Sequence, residues 1–222
     1  MNPETEKTLA FFGRMTANLT HEVKNVLAII QESAGLMEDI TAICPLAEEK
    51  YQERFNRSMA TIKQQLNRGI DLTTQFNRFA HTPDRSSAEL DLADTVGQFC
   101  LLTERFARLK HISLTAGETA GAQEQIRLTT NPVQLFMALF FSLESCLNTL
   151  PANTAIRVTP QKTETKRPAA EFACTGEQAP QPGEFFRQLK AAEAWSELND
   201  ITAQLGGQIA LDKDDLRFWL VF

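Results

Sequence analysis

The sequence has no uninterrupted apolar stretch near the roughly 18 residues of a membrane-spanning helix. Its opening residues, MNPETEKTLAFFG, lack a basic run, an apolar core and a cleavage site, so a cytoplasmic location is expected. It also lacks a Lys/Arg-rich run or an RNA-type aromatic motif, and 28 acidic against 22 basic side chains leave a net charge of −6. That balance argues against a nucleic-acid groove and for protein partners. Cysteine is sparse: Cys44, Cys100, Cys146 and Cys174 are widely spaced, with no CxxC and no Cys/His pairing suited to zinc. Four reduced, buried thiols are the expectation. Glycine and proline are few, 10 and 9 of 222 residues, while 43% of the chain is apolar and 23% charged. This is the composition of a globular chain of one or two domains, not of a disordered or fibrous one.

Between Leu9 and Ala80 the only glycines are Gly13, Gly35 and Gly69, and the one proline is Pro45. The pattern predicts two long helices broken near Cys44-Pro45. In the first, Phe12, Leu19, Val23, Val26, Ile30, Met37 and Ile40 follow an alternating 4/3 spacing, with polar Thr16 and Ser33 at two seam positions. In the second, Phe55, Met59, Ile62, Leu66, Gly69, Thr73, Phe76 and Ala80 keep it. Heptad seams of this kind predict a helical hairpin. Ile29, Leu36, Ile70 and Phe79 add apolar surface beyond what one hairpin covers, so a homodimeric four-helix bundle is expected.

The polar, turn-rich stretch from His81 to Ser87 marks a boundary, giving domains 1–84 and 88–222. Beyond it the periodicity alternates. It predicts helices over 92–109, 132–150 and 185–205, and strands over 112–115, 125–128, 155–159, 170–174, 208–211 and 217–222. Gly206-Gly207 reads as the stop of the last helix. The expected fold is thus α plus α+β, a helical hairpin followed by an α/β sandwich with helices on one face of a mixed sheet.

The segment from Asn18 to Leu27, NLTHEVKNVL, carries the chemistry. With Leu19 at d, His21 falls at f and faces solvent, Glu22 falls at g beside it, and Asn25 stands one turn along the same face. A neutral imidazole, with an ordinary pKa of about 6.5, is a competent phosphoryl acceptor. A neighbouring carboxylate such as Glu22 can orient the ring and take its proton, and the Asn25 amide can hold a water. Lys24 offers positive charge. A zinc-protease site is excluded, because HEVKN lacks the second histidine of HExxH. His81 and His111 have no ligand residues at useful spacing. Phe136, Phe140 and Phe141 lie on one helix with Leu135, Leu139 and Leu143, as a packed core does. Trp195 and Trp219 read as packing residues, and the role of Glu144 stays open between a polar site and a solvent face.

Residues 20–27, THEVKNVL, resemble the H-box of bacterial sensor histidine kinases, His-Glu-x-Lys/Arg-Asn-Pro-Leu, with Val26 in place of the proline. Residues 72–83 are similar to the close of that family's second phosphotransfer helix, and 90–114 to the start of its ATP-binding domain. Residues 131–135, NPVQL, look like its Asp-Pro-x-Arg-Leu lead-in to the N-box helix, and 198–222 like its last helix and two strands. By this resemblance the C-terminal domain is a histidine-kinase/Hsp90-like ATPase sandwich, and a degenerate one. The asparagine that would hold Mg²⁺ falls at Ser145 and an earlier one at Phe141. The Asp-x-Gly-x-Gly box reads Cys174-Thr-Gly-Glu-Gln178, and only Gln178–Glu184 stands where the second glycine box and ATP lid belong.

Loss of metal ligand, adenine carboxylate and phosphate-loop glycines together argues against ATP-driven autophosphorylation. The combination resembles histidine phosphotransferases of sporulation and cell-cycle phosphorelays. The resemblance implies that His21, with Glu22 and Asn25, relays a phosphoryl group between the aspartates of response-regulator receiver domains docked around Met15, Leu19, Lys24 and Ala28. No cofactor is expected on this chain, and Mg²⁺ is expected in the receiver. Two other readings stand beside it: a non-catalytic pseudo-histidine-kinase adaptor for a receiver or an authentic kinase, and a divergent kinase with other nucleotide contacts.

Overall fold

The computed structural model describes residues 2–43, 49–118 and 125–222. Two compact units emerge, one made of Phe12–Phe79 and the other of Met1–Phe11 with Ala80–Phe222. The sequence placed all of 1–84 in the hairpin domain. The first turns instead find their partners in the second unit, where the Phe11 and Phe140 rings meet edge to face at 5.3 Å and Lys7 Nζ lies 2.6 Å from Glu197 Oε2.

Two antiparallel helices, α1 (Pro3–Ile43) and α2 (Glu49–Ala80), make the hairpin. The Phe12 and Phe79 rings meet at 4.9 Å, and Gly69 lies so near Val26 that a Cβ there would come within 3.3 Å of its side chain. The predicted Cys44-Pro45 break lies outside the described residues. Among these, the fully buried positions of α1 are Phe11, Met15, Asn18, Leu19, Glu22, Val26 and Ile40. Leu19, Val26 and Ile40 keep their predicted seam positions, while Met15, Asn18 and Glu22 are buried one residue ahead of the predicted Thr16, Leu19 and Val23. Spacing misled because the true frame carries an amide and a carboxylate. On α2 the seam takes Ser58, Leu72 and Phe79 rather than Met59, Thr73 and Ala80. Phe79 is fully buried and is not surplus apolar surface; Leu27, Leu36, Leu66 and Ile70 remain exposed.

The second unit is a two-layer α/β sandwich. Strand β1 (Ala88–Asp91) pairs antiparallel with β3 (Arg127–Thr130) as a separate ribbon. The main sheet has five strands, β2 (Ser113–Ala116), β4 (Ala155–Lys162), β5 (Pro168–Thr175), β7 (Arg217–Val221) and β6 (Gln208–Leu211), in that spatial order. Only β2 and β4 run parallel. Ile156, Val158, Phe172, Cys174, Phe218 and Leu220 are buried on its inner face, while Arg157 is exposed on the other. Phe172 and Phe218 stack across neighbouring strands at 5.0 Å, and Trp195 meets Phe218 edge to face at 5.9 Å, contacts worth about 0.5–1.5 kcal/mol each beyond their buried area.

Helix α3 (Leu92–Arg108) starts at an N-cap, Asp91, whose carboxylate accepts from Ala93 and Asp94 N–H. In the same way Asn131 caps α4 (Pro132–Thr149) through Val133 and Gln134 N–H, and Pro132 takes the first-turn position where no N–H is needed. Helix α4 is apolar on nearly every side and accordingly buried. The single helix predicted over 185–205 is two, α5 (Pro182–Ala191) and α6 (Glu193–Gln204), joined by Ala192 in extended conformation. No glycine or proline announces that break. After α6, Gly206 adopts φ +68°, and the N–H groups of Gly206 and Gly207 close on the carbonyls of Ala203 and Thr202.

Cys100, Cys146 and Cys174 are reduced and buried, and the Cys174 thiol contacts Cys146 Sγ at 3.9 Å. Burial pushes the Cys100 thiol up to about 12 and raises that of Cys146 as well. Thiolate, the reactive form, is therefore scarce at both near neutral pH. Mass spectrometry after iodoacetamide treatment should find Cys100 and Cys146 unmodified in the native protein and alkylated in denaturant.

Candidate functional site

Helix α1 is continuous through the THEVKN segment, and its burial pattern sets each side chain. His21, Lys24, Asn25 and Ala28 are exposed. Glu22 is buried, with 7% of its side chain accessible. His21 thus flanks the seam instead of standing opposite it, and the Glu22 carboxylate points inward rather than lying on the solvent face with His21. The physical reason is a partner on the other helix: Arg68 Nη2 of α2 lies 3.2 Å from Glu22 Oε2. The other oxygen, Oε1, accepts from Asn25 Nδ2 at 3.2 Å. A carboxylate in this position is sustained by charge-assisted donors on both sides.

The structure brings Glu22 and Asn25 together directly and keeps His21 beside them by helical spacing. Sequence reasoning missed Arg68. The available signal was a frame shift: once Glu22 is moved into the seam, a cation on α2 becomes necessary. Two expected docking residues change role. Met15 and Leu19 are 0% and 3% exposed within the chain, so they hold the fold together and offer no surface to a receiver. Lys24 and Ala28 are accessible.

Several positions where the family resemblance puts nucleotide contacts carry buried side chains. Phe141 and Ser145 are buried on α4, and Ser145 Oγ donates to the Phe141 carbonyl at 2.8 Å. Cys174, at the end of β5, is buried against Cys146. Helix α5 packs on α4 and α6, with Phe185, Phe186 and Leu189 buried, where a lid is expected. Gly176 does not cradle a phosphate: at φ +157° it passes so near Thr154 that a Cβ would meet Thr154 Cγ2 at 2.7 Å. These side chains do not fit a Mg²⁺-nucleotide. Among the described residues, no group of three or more His, Cys, Asp or Glu is placed to hold a metal, and no helix is long and apolar enough to cross a membrane.

Of the remaining candidates, His81 is exposed with Nδ1 2.8 Å from Asp84 Oδ2. His111, also exposed, takes φ 57° just before β2 and accepts a hydrogen bond from Asn153 at its carbonyl. Glu144 is half-buried. Clefts of about 410 and 390 Å³ lie elsewhere, where the first turns of α1 meet the N-terminal end of α4.

No protein-family model matches the sequence, and no curated protein matches it. Solved structures do. The chain is similar to the catalytic domain of histidine kinase ThkA, with 17% identity over 62% of this chain and 95% of that one and a TM-score of 0.47. It is similar to the Acinetobacter baumannii histidine kinase AdeS at 11% identity, covering 91% and 96% of the two chains, with a TM-score of 0.45. ThkA in complex with the response regulator TrrA matches at 16% identity over 98% of this chain and 63% of that one, with a TM-score of 0.41. At such scores the likeness carries no functional weight, and the chemistry has to be argued from the side chains.

Two substitutions probe these assignments. Glu22→Ala strips Arg68 and Asn25 of a charged partner and should cost roughly 1–3 kcal/mol, whereas His21→Ala, on the exposed face, should stay within about 0.5 kcal/mol of wild type. A third, Gly176→Ala, forces a Cβ into Thr154 and should cost roughly 1–3 kcal/mol. Urea unfolding measures all three.

Proposed function

We propose that the chain is a histidine phosphotransferase that passes a phosphoryl group between receiver aspartates through His21, without using ATP. The observation that carries this reading is an exposed histidine on a helical hairpin, with the exposed Asn25 one turn away and bonded to a buried Glu22 that pairs with the half-buried Arg68 of the facing helix. The side chains in the region of the second unit that the family resemblance assigns to nucleotide do not fit one.

In the proposed reaction the lone pair of a neutral His21 ring nitrogen attacks phosphorus of an aspartyl phosphate. The N–P bond forms as the P–O bond to the aspartyl carboxylate breaks, and that carboxylate leaves with the electron pair. In the second half, a carboxylate oxygen of another receiver attacks phosphorus and the imidazole nitrogen leaves with its pair. Mg²⁺ would be supplied by the receiver in both steps, where it would offset the charge on the transferring phosphoryl group. Lys24 and Ala28 contribute to the docking face, Lys24 by offering charge to an acidic partner. A homodimer is part of the proposal: Leu27, Leu66 and Ile70 stay 58%, 49% and 60% exposed near the Val26–Gly69 contact, and a second hairpin would cover them.

Label from a panel of ³²P-phosphorylated receiver domains should reach the protein, be acid-labile and map to His21, with none arriving from Mg-ATP. His21→Ala should abolish it with the fold intact. Receiver binding without any transfer would overturn the phosphotransferase reading in favour of an adaptor, and label arriving from Mg-ATP would overturn it in favour of a kinase.

A further inference from the structure

We infer that residues 3–11 of α1 are a latch: a helical segment docked on α4 and α6 that releases by unwinding or bending at Gly13, while the hairpin and the sandwich stay folded. The inference does not depend on the phosphotransferase reading. Helix α1 runs unbroken from Pro3 to Ile43, yet its first turns belong to the second unit and the rest to the hairpin. The boundary falls inside one helix, between Phe11 and Phe12. Anchors of the segment include Lys7 Nζ, 2.6 Å from Glu197 Oε2 of α6, and Thr8 Oγ1, which donates to Met137 Sδ of α4 at 3.9 Å. The Phe11 ring meets that of Phe140 edge to face at 5.3 Å.

The hold is light. From Glu4 to Phe11 every residue is exposed except half-buried Thr8 and buried Phe11. Clefts of about 410 and 390 Å³ border the segment, one beside Lys7 and α6, the other beside Thr5, Leu9 and Arg85. A segment with so little buried apolar contact opens at a lower free energy than the core it rests on, and α4 is buried nearly throughout. Glu4, Glu197 and Asp200 line the same cleft as Lys7, so a negative charge at position 7 would repel the segment. Two residues past Phe11 stands Gly13, exposed, where a Cβ would meet nothing within 4 Å. Packing therefore does not call for glycine there, and in a helix interior only proline is less favourable. A weak point of the α1 backbone thus falls at the edge of the docked segment. Release leaves the crossing at Phe79–Ala80 as the covalent tie between the folded units.

Native-state amide hydrogen exchange on the full chain tests this, with rates corrected for intrinsic exchange. In wild type the amides of Lys7 to Phe11 should exchange at least about 100-fold faster than those of α4. Low concentrations of urea should hardly change the segment's rate and should clearly raise that of α4, because release exposes far less surface than unfolding. Gly13→Ala should slow exchange of the segment about fivefold. Lys7→Glu and Glu197→Lys should each speed it by about tenfold. The exchanged pair Lys7→Glu/Glu197→Lys should return it to within about threefold of wild type.

A segment as protected as α4, with the same urea dependence, would overturn the inference, since residues 3–11 would then open only with the whole sandwich. Fast exchange that ignores Glu197→Lys would overturn it too, because an undocked helix end frays without regard to α6. So would an exchanged pair as fast as either single variant, or a segment indifferent to Gly13→Ala. Should a charge variant fail to fold, Gly13→Ala, whose added methyl group enters open space, decides by the same criterion.

Discussion

A carboxylate on the seam of two packed helices must find its donors inside the fold, because water reaches it poorly and the charge cannot be left bare. Glu22 meets that constraint with Arg68 from the facing helix and Asn25 from its own. Much of the upper hairpin follows from this. The seam passes through 22 rather than 23, which places His21 at its flank and leaves Lys24, Asn25 and Ala28 on the open side. An apolar residue at position 22 would have packed as well or better, so the ion pair is a costly way to hold two helices together. What it provides that a leucine could not is a fixed register and a polar anchor next to an exposed imidazole.

The second unit obeys the opposite rule, in that polar groups on its central helix are satisfied within the helix itself. In α4 the hydroxyls of Ser142 and Ser145 bond their own helix at the carbonyls of Ala138 and Phe141, which satisfies each donor without any outside partner. Phe136, Phe140 and Phe141 fill the space around them, with Phe106 and Phe140 edge to face at 5.4 Å and Phe99 and Phe136 at 6.4 Å. A nucleotide site needs polar groups held unsatisfied until the ligand arrives, at some cost to stability. Among the described residues, the Ser142 and Ser145 hydroxyls are satisfied within α4, and α5 packs on α4 and α6.

Where capping chemistry or strong periodicity spoke, the fold was legible. Asn131-Pro132 announces α4 to the residue, Gly206-Gly207 ends α6, and strand 208–211 falls where its alternation put it. Legibility failed where tertiary context chose between near-equal options. Ala88–Asp91 is too short and too mixed to declare itself a strand before β3 pairs with it. The α5–α6 break turns on Ala192, a residue with no breaker character. In the hairpin, counting apolar residues selected Val23 over Glu22 and Met59 over Ser58, since a pattern search cannot know that a glutamate will find an arginine 46 residues away. His21 and Asn25 were visible as an exposed pair; Arg68 was not, because its meaning depends on that register.

Under the proposed reading the two units divide the labour. A phosphoryl acceptor must be open to its donor and acceptor proteins, so an exposed histidine on a rigid hairpin is suited to exchange with diffusing partners. A kinase would in addition need a nucleotide poised on the neighbouring domain, with metal and phosphate held by preorganised polar groups. In this chain the Glu22–Arg68 pair ties the two helices beside His21, whereas Phe141, Ser145 and Cys174 are buried where the family resemblance puts a nucleotide. On the proposed reading, phosphate would come from a donor that arrives already activated, and an aspartyl phosphate is such a donor, since its acyl linkage supplies the leaving group that nucleotide chemistry would otherwise provide. That asymmetry between an exposed acceptor and a region whose side chains do not fit a nucleotide is what supports the proposed phosphotransferase reading.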